Sequence, residues 1–266
     1  MISKISIVTV CYNALDDLAV TVNSILGQTF TDFEYLIIDG ASEDGTVSFI
    51  ESKVADFITR GIAFRYISEP DKGIYDAMNK AAHYADNDYL LFLNAGDEFY
   101  AGDTLLNVQK QLCETDADIV YGSTLFCGNG VYQVRKPKDL NTIIERMPFC
   151  HQSVLVRTSL LLEHPFDLHL NVCADYESFV FFYMNNYSFQ ELDCVIARFV
   201  IGGTSQNLKL KYYRELYEIH KMYGIPDSKF HLYRNLLLES CRSKIRKILP
   251  KQLLYIKNRI INRRMI

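Results

Sequence analysis

Ser6-Ile7-Val8-Thr9-Val10, running straight into Cys11-Tyr12-Asn13, is the stretch whose reading decides the fold. It is short, rich in β-branched residues and lacks helical spacing, as expected of a strand covered on both faces. The pattern recurs twice. Tyr35-Leu36-Ile37-Ile38 ends at Asp39 and opens into Gly40-Ala41-Ser42-Glu43-Asp44-Gly45-Thr46. Tyr89-Leu90-Leu91-Phe92-Leu93 ends at Asn94-Ala95-Gly96-Asp97-Glu98. Helix-length segments separate these runs, so they read as parallel strands of an α/β sheet. In such sheets the ligand sits beyond the carboxyl ends of the strands. All three polar clusters are expected to converge on one crevice. That crevice is acidic and suits a phosphate only with a metal ion between the charges.

The intervening segments support the reading. Leu15, Leu18, Val22, Ile25 and Leu26 form a helical stripe over 15–28, with Asp16 and Asp17 at its positive end. Val47, Ile50, Val54 and Phe57 repeat it over 46–58. A strand at Phe64-Arg65-Tyr66-Ile67, the loop Glu69-Pro70-Asp71-Lys72-Gly73 and a helix from Ile74 to about Ala85 complete a β-α-β-α-β-α-β order. Right-handed crossovers then give a mostly parallel sheet. Beyond it the pattern predicts a helix over 105–113, a strand at 119–121, a hairpin over 125–135 and a strand at 153–156. It continues with a buried helix over 176–187, a strand over 194–200, and helices over about 208–223 and 228–248. The expected division is a sheet domain over 1–205 and a helical extension over 206–266.

At 266 residues and 49 % apolar content the chain is long enough for a large core and is neither disordered nor membrane-embedded. No apolar run approaches the roughly 20 residues of a bilayer span, and Met1-Ile2-Ser3-Lys4 leaves no room for a secretory signal, so a cytoplasmic chain is expected. The seven cysteines are scattered without a C-x-x-C pair, which favours reduced thiols over zinc or disulfides. Residues 242–264 hold nine of the 28 basic residues and none of the 32 acidic ones, leaving 19 against 32 elsewhere. Interleaved with Ile245, Ile248, Leu249, Leu253, Ile256 and Ile260, these cations suit a helix lying on an anionic membrane; a helix packed on its own body is the alternative. The acidic body argues against nucleic acid.

Several side chains fit either chemistry or plain architecture. Asp97, in a Gly-containing turn after a buried strand, suits a magnesium or manganese ion shared with substrate phosphates, or an Asx turn. Asp39 suits a base or ribose, or the Gly40 turn. Lys72 suits a diphosphate or solvent. His151, in Cys150-His151-Gln152-Ser153, suits the phosphate and metal side or a satisfied core position. Asp175 suits a helix cap, or a base that deprotonates a hydroxyl. Gly202-Gly203-Thr204-Ser205 suits a lid or a turn.

Together these segments resemble the family-2 glycosyltransferases of the GT-A (Rossmann-like) fold, specifically the non-processive type of bacterial surface-polysaccharide synthesis. The resemblance rests on residues 6–13, 38–46, Asp71-Lys72-Gly73-Ile74-Tyr75-Asp76-Ala77-Met78-Asn79, 92–99, 149–153 and Ala174-Asp175-Tyr176-Glu177, in order over about 4–205. It implies an inverting enzyme that moves one sugar from a nucleotide-diphosphate sugar to a hydroxyl on a lipid-linked or saccharide acceptor. It also implies that Thr9, Asn13, Asp39, Asp71, Lys72, Asn94 and His151 serve the nucleotide-sugar, Asp39 toward the base. Asp97 is implied as the carboxylate for Mg²⁺ or Mn²⁺, and Asp175 as the base. Asn94-Ala95-Gly96-Asp97 keeps one carboxylate where the family usually has two or three. The Q-x-x-R-W signature of processive members is absent, as is any tryptophan. A lipid-linked acceptor and the basic tail both imply a peripheral place at the inner membrane face.

Two rival classes remain. A sugar-nucleotide-forming nucleotidyltransferase needs a Gly-rich basic loop after the first strand, and Val10-Cys11-Tyr12-Asn13-Ala14 offers none. A non-catalytic, nucleotide-binding, membrane-associated protein would bind but not transfer. No phosphate-loop ATPase, zinc-protease or α/β-hydrolase motif occurs.

Overall fold

The computed structural model describes residues 4–128, 131–201 and 209–226. The strands and helices follow the apolar runs. β1 (Ile5–Cys11) and β2 (Glu34–Asp39) are buried at every position, as is β4 (Tyr89–Phe92). β3 (Ala63–Ser68) is partly exposed and forms one sheet edge. Between them lie α1 (Leu15–Leu26), α2 (Thr46–Arg60) and α3 (Ile74–Tyr84). α1 buries Leu18, Val22 and Ile25; α2 stops at Gly61, whose left-handed φ of 69° closes the helix with N–H bonds to Phe57 and Ile58 carbonyls.

The second half contains β5 (Glu98–Phe99), α4 (Thr104–Leu112), β6 (Ile119–Gly128) and β7 (Val131–Arg135). It continues with β8 (Val154–Arg157), α5 (Thr158–Glu163), α6 (Ala174–Met184) and β9 (Phe189–Val200). Short 3₁₀ turns lie at Leu140–Ile144 and His151–Ser153. The sheet order is β3-β2-β1-β4-β8-β6-β9-β5, with β7 beside β6. β3-β2-β1-β4 is parallel throughout. β8 enters antiparallel between β4 and β6, so the second half is mixed. β6 and β9 pair in parallel across a register shift near Gly122. A Cβ at Gly122 would lie 2.8 Å from the Cys194 carbonyl, so only glycine fits this close approach.

The core lies between the sheet and its helices. Tyr35, Phe57 and Phe64 stack within it, with centroids 4.3 to 5.6 Å apart. The buried Glu34 is held by Arg65 and Ser6, so its charge is compensated.

The expected element order is observed, and the hairpin is the β6–β7 pair. β5 and α5 were not expected. β9 begins at Phe189 rather than 194, and α6 begins at Ala174. The chain divides into two compact units, Met1–Gln206 and Asn207–Ile266. In the second, α7 (Lys209–Met222) is described. The Gly202–Ser205 loop, the expected helix over 228–248 and the basic tail lie outside the described residues. No described helix is long and apolar enough to cross a membrane. The six described cysteines are free thiols.

Candidate active site

The carboxyl ends of β1 and β2 meet through one carboxylate. Asp39 is fully buried. It accepts from the Ser42 N–H at 2.9 Å and the Ser68 hydroxyl at 2.6 Å, from the Ser42 hydroxyl, and from the Cys11 thiol at 3.6 Å. These donors order the turn around both oxygens, each of which keeps acceptor capacity for a further N–H donor. Thr9 is held from within the sheet. Its hydroxyl is buried, donates to the Leu93 carbonyl at 2.7 Å and accepts from Tyr35. Period-two alternation points Thr9 into the sheet interior, away from the rim.

Asn13 does stand on the rim, exposed, with a φ of 46° that asparagine tolerates better than most residues. Its side-chain oxygen accepts from Glu43 N–H at 2.9 Å, and its own N–H donates to Ser42 at 2.7 Å, tying the β1 and β2 loops together. Asp44 joins the same lattice. It accepts from Thr46 and from the Leu15 N–H, and the Thr46 hydroxyl bond holds its carboxyl below the usual range.

Asp71 closes on this turn. A Cβ at Gly40 would lie 2.5 Å from its Oδ2 and 3.3 Å from the Tyr12 ring. Its Oδ1 caps the next turn through Gly73 N–H at 2.8 Å. Lys72 is exposed beside it, without an ion-pair partner among the described residues. Asp76 accepts from the Lys72 N–H at 2.9 Å, while Asn79 binds both backbone groups of Phe166. These two side chains are structural.

Beyond β4, Gly96 adopts a φ of 92° and Asp97 N–H returns to the Asn94 carbonyl. Thr21 of α1 anchors this turn: it donates to the Asp97 carbonyl at 2.8 Å and accepts from Gly96 N–H at 3.0 Å. The Asp97 side chain is 7 % exposed. Burial pushes its carboxyl up to about 7, an effect that nearby Gln152 and the Val200 backbone only partly oppose. The neighbouring Asn94 side-chain oxygen is buried without a partner. One carboxylate, one orphaned amide oxygen and no cation fit Mg²⁺ or Mn²⁺, which commonly bind through one or two carboxylates plus phosphate oxygens. Among the described residues no group of three or more His, Cys, Asp or Glu forms a protein-only metal cage.

Asp175 lies in the first turn of α6, after the capping position Cys173. Its Oδ1 accepts from the Tyr75 hydroxyl at 3.0 Å, and its Oδ2 lies 3.8 Å from His151 Nδ1. Desolvation lowers the His151 pKa, and the nearby Asp175 charge only partly offsets it. Both ring nitrogens are buried without hydrogen bonds, and the ring stacks on Phe92 at 5.5 Å. His151 is thus a neutral imidazole beside Asp175.

The 3₁₀ turn His151–Ser153 joins the two carboxylates. His151 faces Asp175 while Gln152 stabilises the Asp97 charge, and both charges raise the Cys150 thiol, which burial above all pushes up to about 12. Tyr75, Gln152 and Ser68 were not assigned roles from sequence. Each belongs to a segment distant in the chain from its partner, and only the motif context of Tyr75 and Gln152 offered a signal.

The glycosyl transferase family 2 model matches residues 6–167. A PGL/p-HBAD biosynthesis glycosyltransferase of Mycobacterium bovis is 33 % identical over 179 residues, 65 % of this chain and 66 % of that protein, just under two thirds of it. A putative teichuronic acid biosynthesis glycosyltransferase, TuaG of Bacillus subtilis, is 34 % identical over 95 residues, 36 % of each chain. Among solved structures, S. aureus TarS 1–349 in complex with UDP-GlcNAc superposes with a TM-score of 0.63 at 18 % identity, covering 81 % of this chain and 64 % of that one. The mannosyltransferase PcManGT from Pyrobaculum calidifontis, in complex with GDP-Man and Mn²⁺, gives 0.64 at 18 %, covering 85 % and 65 %. With its family model spanning more than half of its residues and its sheet shared with these structures, the chain belongs to glycosyl transferase family 2 and has the GT-A architecture.

Proposed function

We propose that the protein transfers a single sugar, with inversion, from a nucleoside-diphosphate sugar to a hydroxyl of a lipid-linked or saccharide acceptor in surface polysaccharide or glycolipid synthesis. The observation that carries this reading is Asp175, which the Tyr75 hydroxyl holds at 3.0 Å and His151 faces at 3.8 Å, on the same 3₁₀ turn whose Gln152 stabilises the charge of the buried Asp97. One carboxyl is thereby available to a donor diphosphate and the other to an incoming hydroxyl. The solved complexes of TarS with UDP-GlcNAc and of PcManGT with GDP-Man support a sugar nucleotide as the donor.

Asp97, with Asn94, would hold Mg²⁺ or Mn²⁺. A bound divalent ion neutralises charge on the leaving diphosphate. Asn13, Asp71 and Lys72 line the nucleotide side, where Lys72 contributes an exposed ammonium. Asp175 accepts the proton of the acceptor hydroxyl as it attacks. The Tyr75 hydroxyl fixes one of its oxygens, leaving the other toward His151. The neutral imidazole supplies no competing positive charge. The basic stretch 242–264 holds the enzyme to an anionic membrane at the cytoplasmic face, where a lipid-linked acceptor resides.

A panel of sugar nucleotides screened for Mn²⁺-dependent thermal stabilisation identifies the donor, since a ligand of the native state raises apparent stability by mass action. Asp175→Asn is expected to lower transfer at least a hundredfold with donor affinity within twofold. Retained turnover removes Asp175 from the role. Asp97→Ala is expected to abolish the Mn²⁺ dependence of donor binding by calorimetry; unchanged affinity refutes its assignment.

A further inference from the structure

A second cavity adjoins this rim, between β6, β7 and the segment leading to Cys150. It encloses about 180 Å³ and is lined by Arg135, Lys136 and Lys138 together with Gly122, Phe149 and Cys150. Cations are scarce in this acidic body, and several of the others are engaged. Lys53 pairs with Asp56, Lys80 with Glu69, Arg157 with Asp116 and Arg198 with Glu98. Arg135, Lys136 and Lys138 are exposed, and none has an ion-pair partner among the described residues. Arg135 lies 4.1 Å over the Phe126 ring, which fixes its guanidinium without neutralising it.

Three unpaired cations around one small hollow form a site for an anion. The volume is below the roughly 300 Å³ at which pockets accept whole drug-sized ligands. It suits one charged group.

Position connects the hollow to the chemistry. Cys150 lines it, and the next residue, His151, stands beside Asp175. Phe149 lines it too and meets Phe179 of α6 edge-on at 5.2 Å.

We propose that this cavity binds an anionic group of the acceptor, a phosphate or a carboxylate, and so selects charged acceptors over neutral ones. The proposal rests on the transferase reading above for the word acceptor, but its test does not depend on turnover. Octyl phosphate, octyl glucuronide and octyl glucoside, each below its micellar concentration, are titrated into the full chain by calorimetry. At least one anionic probe is expected to bind tenfold or more tightly than octyl glucoside. Preference for the phosphate indicates a phospholipid-linked acceptor, and preference for the glucuronide an acidic saccharide. The double variant Lys136→Gln/Lys138→Gln is expected to lose the preference while nucleoside-diphosphate affinity in Mn²⁺ stays within twofold. In wild type the preferred probe is expected to protect Lys136 and Lys138 from acetylation, read by mass spectrometry. Equal binding of all three probes, or a preference undiminished in the variant, overturns the proposal. Failure of the wild type to bind any nucleoside diphosphate sinks the transferase reading instead, and leaves the anion preference measurable.

Discussion

His151 is an imidazole whose surroundings decide its charge. Phe92, Phe166 and Phe179 surround the ring, and among the described residues Asp175 is the one carboxylate within ion-pair distance of it. Burial dominates and lowers its pKa from 6.5. Below about pH 6.5 the unfolded chain therefore takes up a proton that the folded chain refuses. Through His151 the unfolded state binds more protons there, so this group's contribution falls as pH falls, by at most about 1.4 kcal/mol per pH unit. Asp97, raised to about 7, contributes with the opposite sign. His151→Asn is expected to remove the His151 contribution from the stability curve, measured by urea unfolding between pH 5.5 and 7.5. An unchanged slope in the variant assigns the acid sensitivity to other groups.

At the scale of elements, the acidic turn owes its shape to α1. The Thr21 hydroxyl has one proton and three carbonyls nearby, and the 2.8 Å contact to Asp97 is much shorter than those to Asn94 at 3.2 Å and Asp17 at 3.4 Å. Thr21→Val preserves shape but leaves the Gly96 N–H and the Asp97 carbonyl without this partner. It is expected to cost about 1–3 kcal/mol, measured by chemical denaturation, because buried unmade hydrogen bonds are expensive. Mn²⁺-dependent donor binding should weaken with it. The elements themselves were legible where apolar runs were continuous, as in β1, β2 and β4. β5 is two residues long and exists through its pairing with Ala197 and Arg198, so no local pattern announces it. The first half of β9 reads as polar because Gln190 and Glu191 face solvent. α5, six residues long, is too short to show a period.

For the whole molecule, the legible part of the site was its location, and the illegible part was which way side chains turn. Asp39 reads as a ligand-facing carboxylate, but nothing in its spacing announces Ser68, 29 residues away, as a donor to one of its oxygens. Tyr75 reaches Asp175 across 100 residues of chain. Such contacts follow from sheet order, which fixes neighbours that spacing cannot. The basic stretch 242–264 follows a different logic, since composition alone argues for its surface. Removal of the residues after Ser240 is expected to shift the protein from the membrane to the soluble fraction at low salt. A wild type already fully soluble at low salt removes the membrane role.

The turn at His151–Ser153 has a mechanical consequence. Neighbouring residues of one turn face the two carboxylates, His151 standing 3.8 Å from Asp175 and Gln152 stabilising the charge of Asp97, so a displacement of this backbone kink is felt at both.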